Sequence, residues 1–205
     1  MPTLGFDLDL TLIDARPGMV ALLGRLSAET GIDLDAGYFA ANLGPPVDDL
    51  LRGAGAPEPL IPRLADRYRE LYPEIALPAT VAMPGAVAAL DAVQRRGDQV
   101  LVVTGKHPPN AARHLRALGW SVDALAGGLW STGKADALRE HGAVAYVGDH
   151  VGDMRGARAA QAVAVGVATG PCSEDELWAA GAEFVLPDLT CFPDWLAEFV
   201  NQEAN

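Results

Sequence analysis

Asp7 and Asp9 stand two residues apart, directly after the apolar run Leu4-Gly5-Phe6. In an extended chain, residues i and i+2 point to the same side, so both carboxylates can face one cavity. Crowded carboxylates repel; they either split their pKa values or share a cation. Asp149 and Asp153 repeat the theme late in the chain, within Gly148-Asp149-His150-Val151-Gly152-Asp153. Four such acids make a set of hard oxygen ligands, suited to Mg²⁺ rather than to a thiophilic metal. Thr104-Gly105 follows a second apolar run and offers a hydroxyl and backbone N–H groups, while Lys134 offers an ammonium. These neutral and cationic donors suit a phosphoester dianion, but only with help. Unit charges 4 Å apart interact by about 4 kcal/mol at an effective dielectric of 20, so Asp7 and Asp9 would repel phosphate unless Mg²⁺ and Lys134 outweigh them. Of 15 basic residues only Lys106 and Lys134 are Lys, and each directly follows a Gly. An ammonium kept where Arg is otherwise used hints at the need for a compact point charge.

The elements that position these groups can be read from the apolar pattern. Short apolar runs ending in polar or Gly-containing turns predict buried parallel strands at 3–7, 99–104, 122–127, 143–148, 162–167 and 183–186. Helical spacing predicts helices between most of them, at 84–96, 109–118 and 134–141, each followed by a Gly stop. Ser173 and Glu176 form a capping box for another helix, which Gly181 ends. Alternation of this kind predicts an α/β fold, a doubly wound parallel sheet of Rossmann-like type with right-handed crossovers. Ligands then bind beyond the carboxyl ends of the strands, where all four chemical segments fall. Residues 15–81 break the rhythm. They carry helical spacing at 17–30 and 58–72, no convincing strand, and the turn Leu43-Gly44-Pro45-Pro46. We expect a small all-helical cap at 15–81, inserted into a core made of 1–14 and 82–205.

Composition narrows the function classes. The 205 residues carry 27 acidic against 15 basic side chains, a net charge of −12. That balance argues against nucleic acid and against an anionic membrane surface, since both need clustered Lys and Arg. No apolar run approaches the roughly 18 residues of a membrane span, and no signal-like segment opens the chain. Cys172 and Cys191 have neither CxxC nor Cys/His spacing. A cytoplasmic protein, monomer or homodimer, is the expectation.

Asp7-x-Asp9-x-Thr11, Thr104, Lys134 and Gly148-Asp149-x-x-x-Asp153 resemble, in order and at strand ends, the four motifs of the haloacid dehalogenase superfamily phosphatases. The resemblance spans nearly the whole chain. It is closest to the helical-cap branch that includes phosphoglycolate-phosphatase-like enzymes. It implies Mg-dependent hydrolysis of a small phosphorylated metabolite through an aspartyl-phosphate. Asp7 is then the nucleophile, and Asp9 protonates the leaving alcohol and later activates water. Mg²⁺ is held by Asp7, the Asp9 carbonyl and Asp149, with Asp153 ordering the metal waters or Lys134. Thr104, Gly105 and Lys134 bind the phosphoryl group, and Thr11 fixes the turn. Leu10 and Gly105 depart from the common pattern, which has Gly at the first position and often Asn or Ser at the second. Arg16 is a candidate for an anionic substrate, although a solvated helix start explains it better. Lys106 has no assigned role, and exposure to solvent is its plain reading. Tyr38, Phe39 and Tyr68 read as cap core, Trp120 and Trp130 as packing residues, and His107 and His150 as turn residues.

Rival readings fit less of the chain. Gly128 to Ala135 nearly matches GxxxxGK[ST], but Ala135 stands where a metal-binding hydroxyl belongs. A phosphoacceptor signalling domain would lack a helical block after strand one. True dehalogenases replace the metal cluster, and phosphonate cleavers use a cap Lys that this chain lacks. A sugar phosphomutase of the same fold and a non-catalytic phosphate-binding or regulatory protein remain as alternatives.

Overall fold

The protein is described here by a computed structural model covering residues 1–203. In chain order the strands are β1 (Thr3–Phe6), β2 (Ile13–Asp14), β3 (Val81–Ala82), β4 (Gln99–Val103), β5 (Ala124–Ala126), β6 (Ala143–Gly148), β7 (Val163–Val167) and β8 (Phe184–Leu186). The helices are α1 (Arg16–Thr30), α2 (Ala36–Ala41), α3 (Val47–Gly53), α4 (Ile61–Ile75), α5 (Ala86–Arg95), α6 (Pro108–Ala117), α7 (Ala135–Glu140), α8 (Val151–Ala160), α9 (Glu174–Ala179) and α10 (Phe192–Glu203). Six strands form one sheet in the order β5-β4-β1-β6-β7-β8, and every pairing in it is parallel. The expected α/β doubly wound sheet is therefore present. Strand order reverses at β1, so the carboxyl ends of β4, β1 and β6 open on one crevice. Those three ends carry Thr104, Asp7 and Asp149.

Two apolar layers sandwich the sheet. On one side Leu4, Phe6, Val100, Val102, Val147 and Val165 pack with α5 and α10; on the other Leu101, Val103, Tyr146 and Ala164 pack with α7, α8 and α9. Burial on both faces explains why these strands read as continuous apolar runs instead of alternating ones. Phe6, Phe192 and Trp195 form an aromatic row with centroids 5.1 and 5.3 Å apart, a geometry that adds to simple area burial.

A third apolar cluster lies apart from the sheet and joins α1, α2, α3 and α4. Helix α4 shows why that segment is helical. Ile61, Leu64, Ala65, Tyr68, Leu71 and Tyr72 are its buried residues, spaced to make one stripe on a 3.6-residue period. The antiparallel β2–β3 ribbon pairs Ile13 with Ala82 and Asp14 with Val81, bringing the two ends of this helical block together. Leu10 ties the block to the sheet. It sits in the β1–β2 loop at φ +59°, a left-handed conformation that is unusual for a bulky residue, yet its side chain is buried in the helical cluster. The Thr169 hydroxyl donates to the Leu10 carbonyl at 2.6 Å and fixes the turn. Packing thus offsets strain of order 1–3 kcal/mol.

Among the described residues no helix is long and apolar enough to cross a membrane.

Candidate active site

Asp7, Asp149 and Asp153 each offer a carboxylate oxygen within 4.8 Å of the others, and all three are buried. The sequence places Asp7 one residue past β1 and Asp149 one residue past the adjacent strand β6. Asp153 arrives in the first turn of α8, where its carboxylate accepts the His150 backbone N–H at 3.1 Å; the His150 ring accepts the Gly152 N–H in return. This reciprocal cap fixes the helix start and with it the angle at which Asp153 meets the other acids.

Lys134 enters the trio from the far side. Its ammonium donates to Asp153 Oδ1 at 2.6 Å, to Asp7 Oδ1 at 3.0 Å and to the Tyr146 hydroxyl at 2.8 Å, with no solvent exposure. Burial lowers its pKa, but Asp153 and Asp7 outweigh burial and hold it charged well above the usual lysine range. The Tyr146 hydroxyl donates its own hydrogen bond to the Val103 carbonyl at 2.5 Å and accepts from Lys134, so all three ammonium protons have oxygen partners. This arrangement also answers the P-loop reading: Lys134 is committed to a carboxylate cage and is not free to reach a nucleotide.

One ammonium does not balance three buried carboxylates. Burial raises Asp149 well above the normal carboxylate range, with Asp153 and Asp7 adding to the rise and the Thr11 hydroxyl, 2.8 Å from Asp149 Oδ1, opposing it. Burial likewise raises Asp7 against the pull of Lys134. A cluster of hard oxygens with charge in excess is what a divalent cation needs, so the donor set fits Mg²⁺.

Asp9 is not part of this trio. Its carboxylate turns to Lys106, whose Nζ lies 2.9 Å from Oδ1 as an ion pair without an aligned hydrogen bond. Burial raises the Asp9 pKa and Lys106 opposes it. Metal ligation by the Asp9 carboxylate, expected from its spacing, therefore gives way in this structure to pairing with Lys106. The parallel register Phe6↔Val102 explains the turn, because it sets the loops after β1 and β4 side by side. Lys106 then donates to the Tyr72 hydroxyl at 2.6 Å, and Tyr72 meets His114 Nε2 at 2.6 Å.

Thr104 is buried, and its Oγ1 accepts the Lys106 backbone N–H at 3.2 Å. Gly105 is sterically required: a Cβ there would fall 2.5 Å from the Gly44 carbonyl oxygen. The turn Leu43–Pro46 thus closes directly over the second motif. Arg16 is forked on Asp14 at 2.9 and 2.7 Å at the edge of the ribbon, within electrostatic reach of Asp149. A cavity of about 280 Å³ lies between the helical block and the sheet edge, lined by Asp9, Gly44, Pro46, Tyr72, Lys106 and Asn110 among others. Of the four acids only Asp9 lines it.

Three participants escaped the sequence reading. Tyr146 looks like any strand core residue, and Tyr72 and His114 look like helix core. Only their hydroxyl and imidazole atoms, paired across 34 and 42 residues, mark them as polar partners.

Comparison with known proteins agrees with this arrangement of strands. The family model of haloacid dehalogenase-like hydrolases matches residues 4–158, and the chain belongs to that family. None of the curated protein sequences matches it significantly. Among solved structures it is similar to a hydrolase from Pseudomonas syringae, with TM-score 0.77, 23% identity and coverage of 97% of this chain and 99% of that one. It is also similar to a predicted phosphatase from Clostridium acetobutylicum, with TM-score 0.83, 22% identity and coverage of 96% and 98%. A predicted phosphoglycolate phosphatase from Haemophilus somnus gives TM-score 0.81, 18% identity and coverage of 96% and 98%. At these identities the likeness is one of fold.

Proposed function

We propose that this protein is an Mg²⁺-dependent phosphomonoester hydrolase that acts on a small phosphorylated metabolite through an aspartyl-phosphate on Asp7. The observation that carries the reading is the buried Asp7–Asp149–Asp153 trio closed by the Lys134 ammonium. Asp7 and Asp149, with the Asp9 backbone carbonyl, would hold the ion, and Asp153 orients Lys134. The ion supplies positive charge where a phosphate dianion would otherwise meet carboxylates.

In the first step an Asp7 oxygen forms a bond to phosphorus while the bond from phosphorus to the ester oxygen breaks. Asp9 gives its proton to that leaving oxygen. Burial, which raises the Asp9 pKa, favours the protonated form that this step needs. In the second step Asp9 takes a proton from water as the water oxygen bonds to phosphorus and the Asp7 oxygen departs. Thr104 and Gly105 bear on the phosphoryl oxygens, while Lys134, whose protons are held by Asp7, Asp153 and Tyr146, acts on them through its charge, since positioning and electrostatics do most of the work in phosphoryl transfer. The helical block at 15–81 acts as the cap over the core at 1–14 and 82–205, and its turn Leu43–Pro46 shapes the space left for the leaving group. A cavity of about 280 Å³ suits a small metabolite. The likeness to a predicted phosphoglycolate phosphatase supports that size class.

A panel of phosphorylated metabolites tests the proposal. Inorganic phosphate release in Mg²⁺, abolished by EDTA and restored by added Mg²⁺, is the expected result. Turnover that persists in EDTA contradicts the metal assignment, and an isomeric phosphoester as the sole product converts the reading to a mutase.

A further inference from the structure

The polar chain that begins at Asp9 runs out of the catalytic loop and into the helical block. Asp9 pairs with Lys106 at 2.9 Å, Lys106 donates to Tyr72 Oη at 2.6 Å, and Tyr72 Oη lies 2.6 Å from His114 Nε2. Asp9, Lys106 and His114 belong to the sheet and its α6 helix, whereas Tyr72 belongs to α4 of the inserted block. All four side chains are largely buried: those of Asp9 and Lys106 keep 10% and 7% of their exposure, and Tyr72 and His114 keep 0% and 1%.

Donor and acceptor counting gives the chain a direction. An ammonium only donates, so the Tyr72 oxygen accepts from Lys106. The one hydroxyl proton of Tyr72 is then left for His114, which must present Nε2 as an acceptor and carry its own proton on Nδ1. Burial, with Lys106 nearby, lowers the His114 pKa to about 3, and a neutral ring is what that acceptor role needs. The Tyr72 ring adds a second contact, with Lys106 Nζ 4.8 Å from its centroid. Lys106 is therefore held in one orientation by a residue of the helical block, and that orientation aims it at Asp9.

We propose that Tyr72, anchored by His114, is a positioning residue that holds Lys106 against Asp9, so that the seated helical block sets the acid-base carboxylate. This inference rests on the proposed acid-base role of Asp9. Its consequence is specific to the proton given to the leaving oxygen. Substrates whose leaving group needs that proton depend on Tyr72, and substrates with a good leaving group depend on it much less.

Two aryl esters of nearly the same shape separate these cases. Phenyl phosphate releases phenol, whose pKa is near 10 as in tyrosine, and p-nitrophenyl phosphate releases a far more acidic phenol. The value of kcat/KM covers events only up to loss of the alcohol, so hydrolysis of the phosphoenzyme does not blur it. General acid catalysis is worth about 10²–10⁴-fold, and misaiming the acid forfeits part of it. Tyr72→Phe, which keeps the ring and the packing, is expected to lower kcat/KM about tenfold for phenyl phosphate and less than about threefold for p-nitrophenyl phosphate. His114→Gln keeps an acceptor for the Tyr72 proton and should fall between wild type and His114→Leu on phenyl phosphate. Equal losses on both esters in Tyr72→Phe, or no loss on either, overturn the inference. Asp9→Asn judges the underlying reading separately. If it loses phenyl phosphate activity selectively while Tyr72→Phe does not, the acid role stands and the positioning role falls. If Asp9→Asn shows no selectivity, the acid role itself falls.

Discussion

Asp7→Asn is expected to lower kcat/KM by at least about 10⁴-fold on any phosphomonoester the protein hydrolyses, because it removes the attacking oxygen anion. The variant should still fold. Asparagine has the same shape as aspartate, and Lys134 keeps Asp153 at 2.6 Å and the Tyr146 hydroxyl at 2.8 Å as partners. Far-UV circular dichroism and the urea midpoint should therefore stay close to wild type while activity vanishes. Activity within tenfold of wild type would remove Asp7 as the nucleophile.

Lys134→Met combines a catalytic loss with a structural one. Removing a buried ammonium leaves Asp7 and Asp153 facing each other without a cation, and breaking a buried pair in this way costs about 3–5 kcal/mol. The urea midpoint of the variant should fall accordingly in EDTA, and Mg²⁺ should recover part of the loss by replacing some of the missing charge. Turnover should drop by about 10²–10³-fold even in saturating Mg²⁺, the scale of losing one preorganised charge partner. A variant as stable as wild type in EDTA would contradict the charge balance described for the site.

The legible part of the fold was the part that repeats. Buried parallel strands gave continuous apolar runs, and β6 spans 143–148 as its sequence suggests. The edge-side strand expected at 122–127 is shorter, Ala124–Ala126, since only one partner extends its ladder. The helices that lacked a clear signal have physical reasons for it. Helix α8 contains Gly152 and Gly156 and starts inside the acid motif on a His cap, while α2 and α3 have only six and seven residues. In the site, acids after strands were readable because a parallel sheet delivers its strand ends to one edge. The scarcity of lysine singled out both Lys106 and Lys134. The Lys106 side chain is largely buried rather than solvent-exposed as expected, and what it does was not readable, because its partners are Asp9 from the neighbouring loop and Tyr72 from α4. Tyr72 satisfies a helical apolar stripe as well as a polar chain, and spacing alone reports only the stripe. Leu10 was visible as a departure, but its left-handed backbone and its burial in the helical cluster come from tertiary packing.

The most direct test is to find where phosphate becomes covalently attached. An Asp9→Asn variant, slowed in hydrolysing the phosphoenzyme, is mixed with an activated aryl phosphate and Mg²⁺, quenched in acid, and mapped by peptide mass spectrometry. A single acid-stable, hydroxylamine-labile phosphoryl group on Asp7 is the predicted result. Phosphate on another residue, or phosphate release from the ester with no protein-bound phosphate at any time, would contradict it.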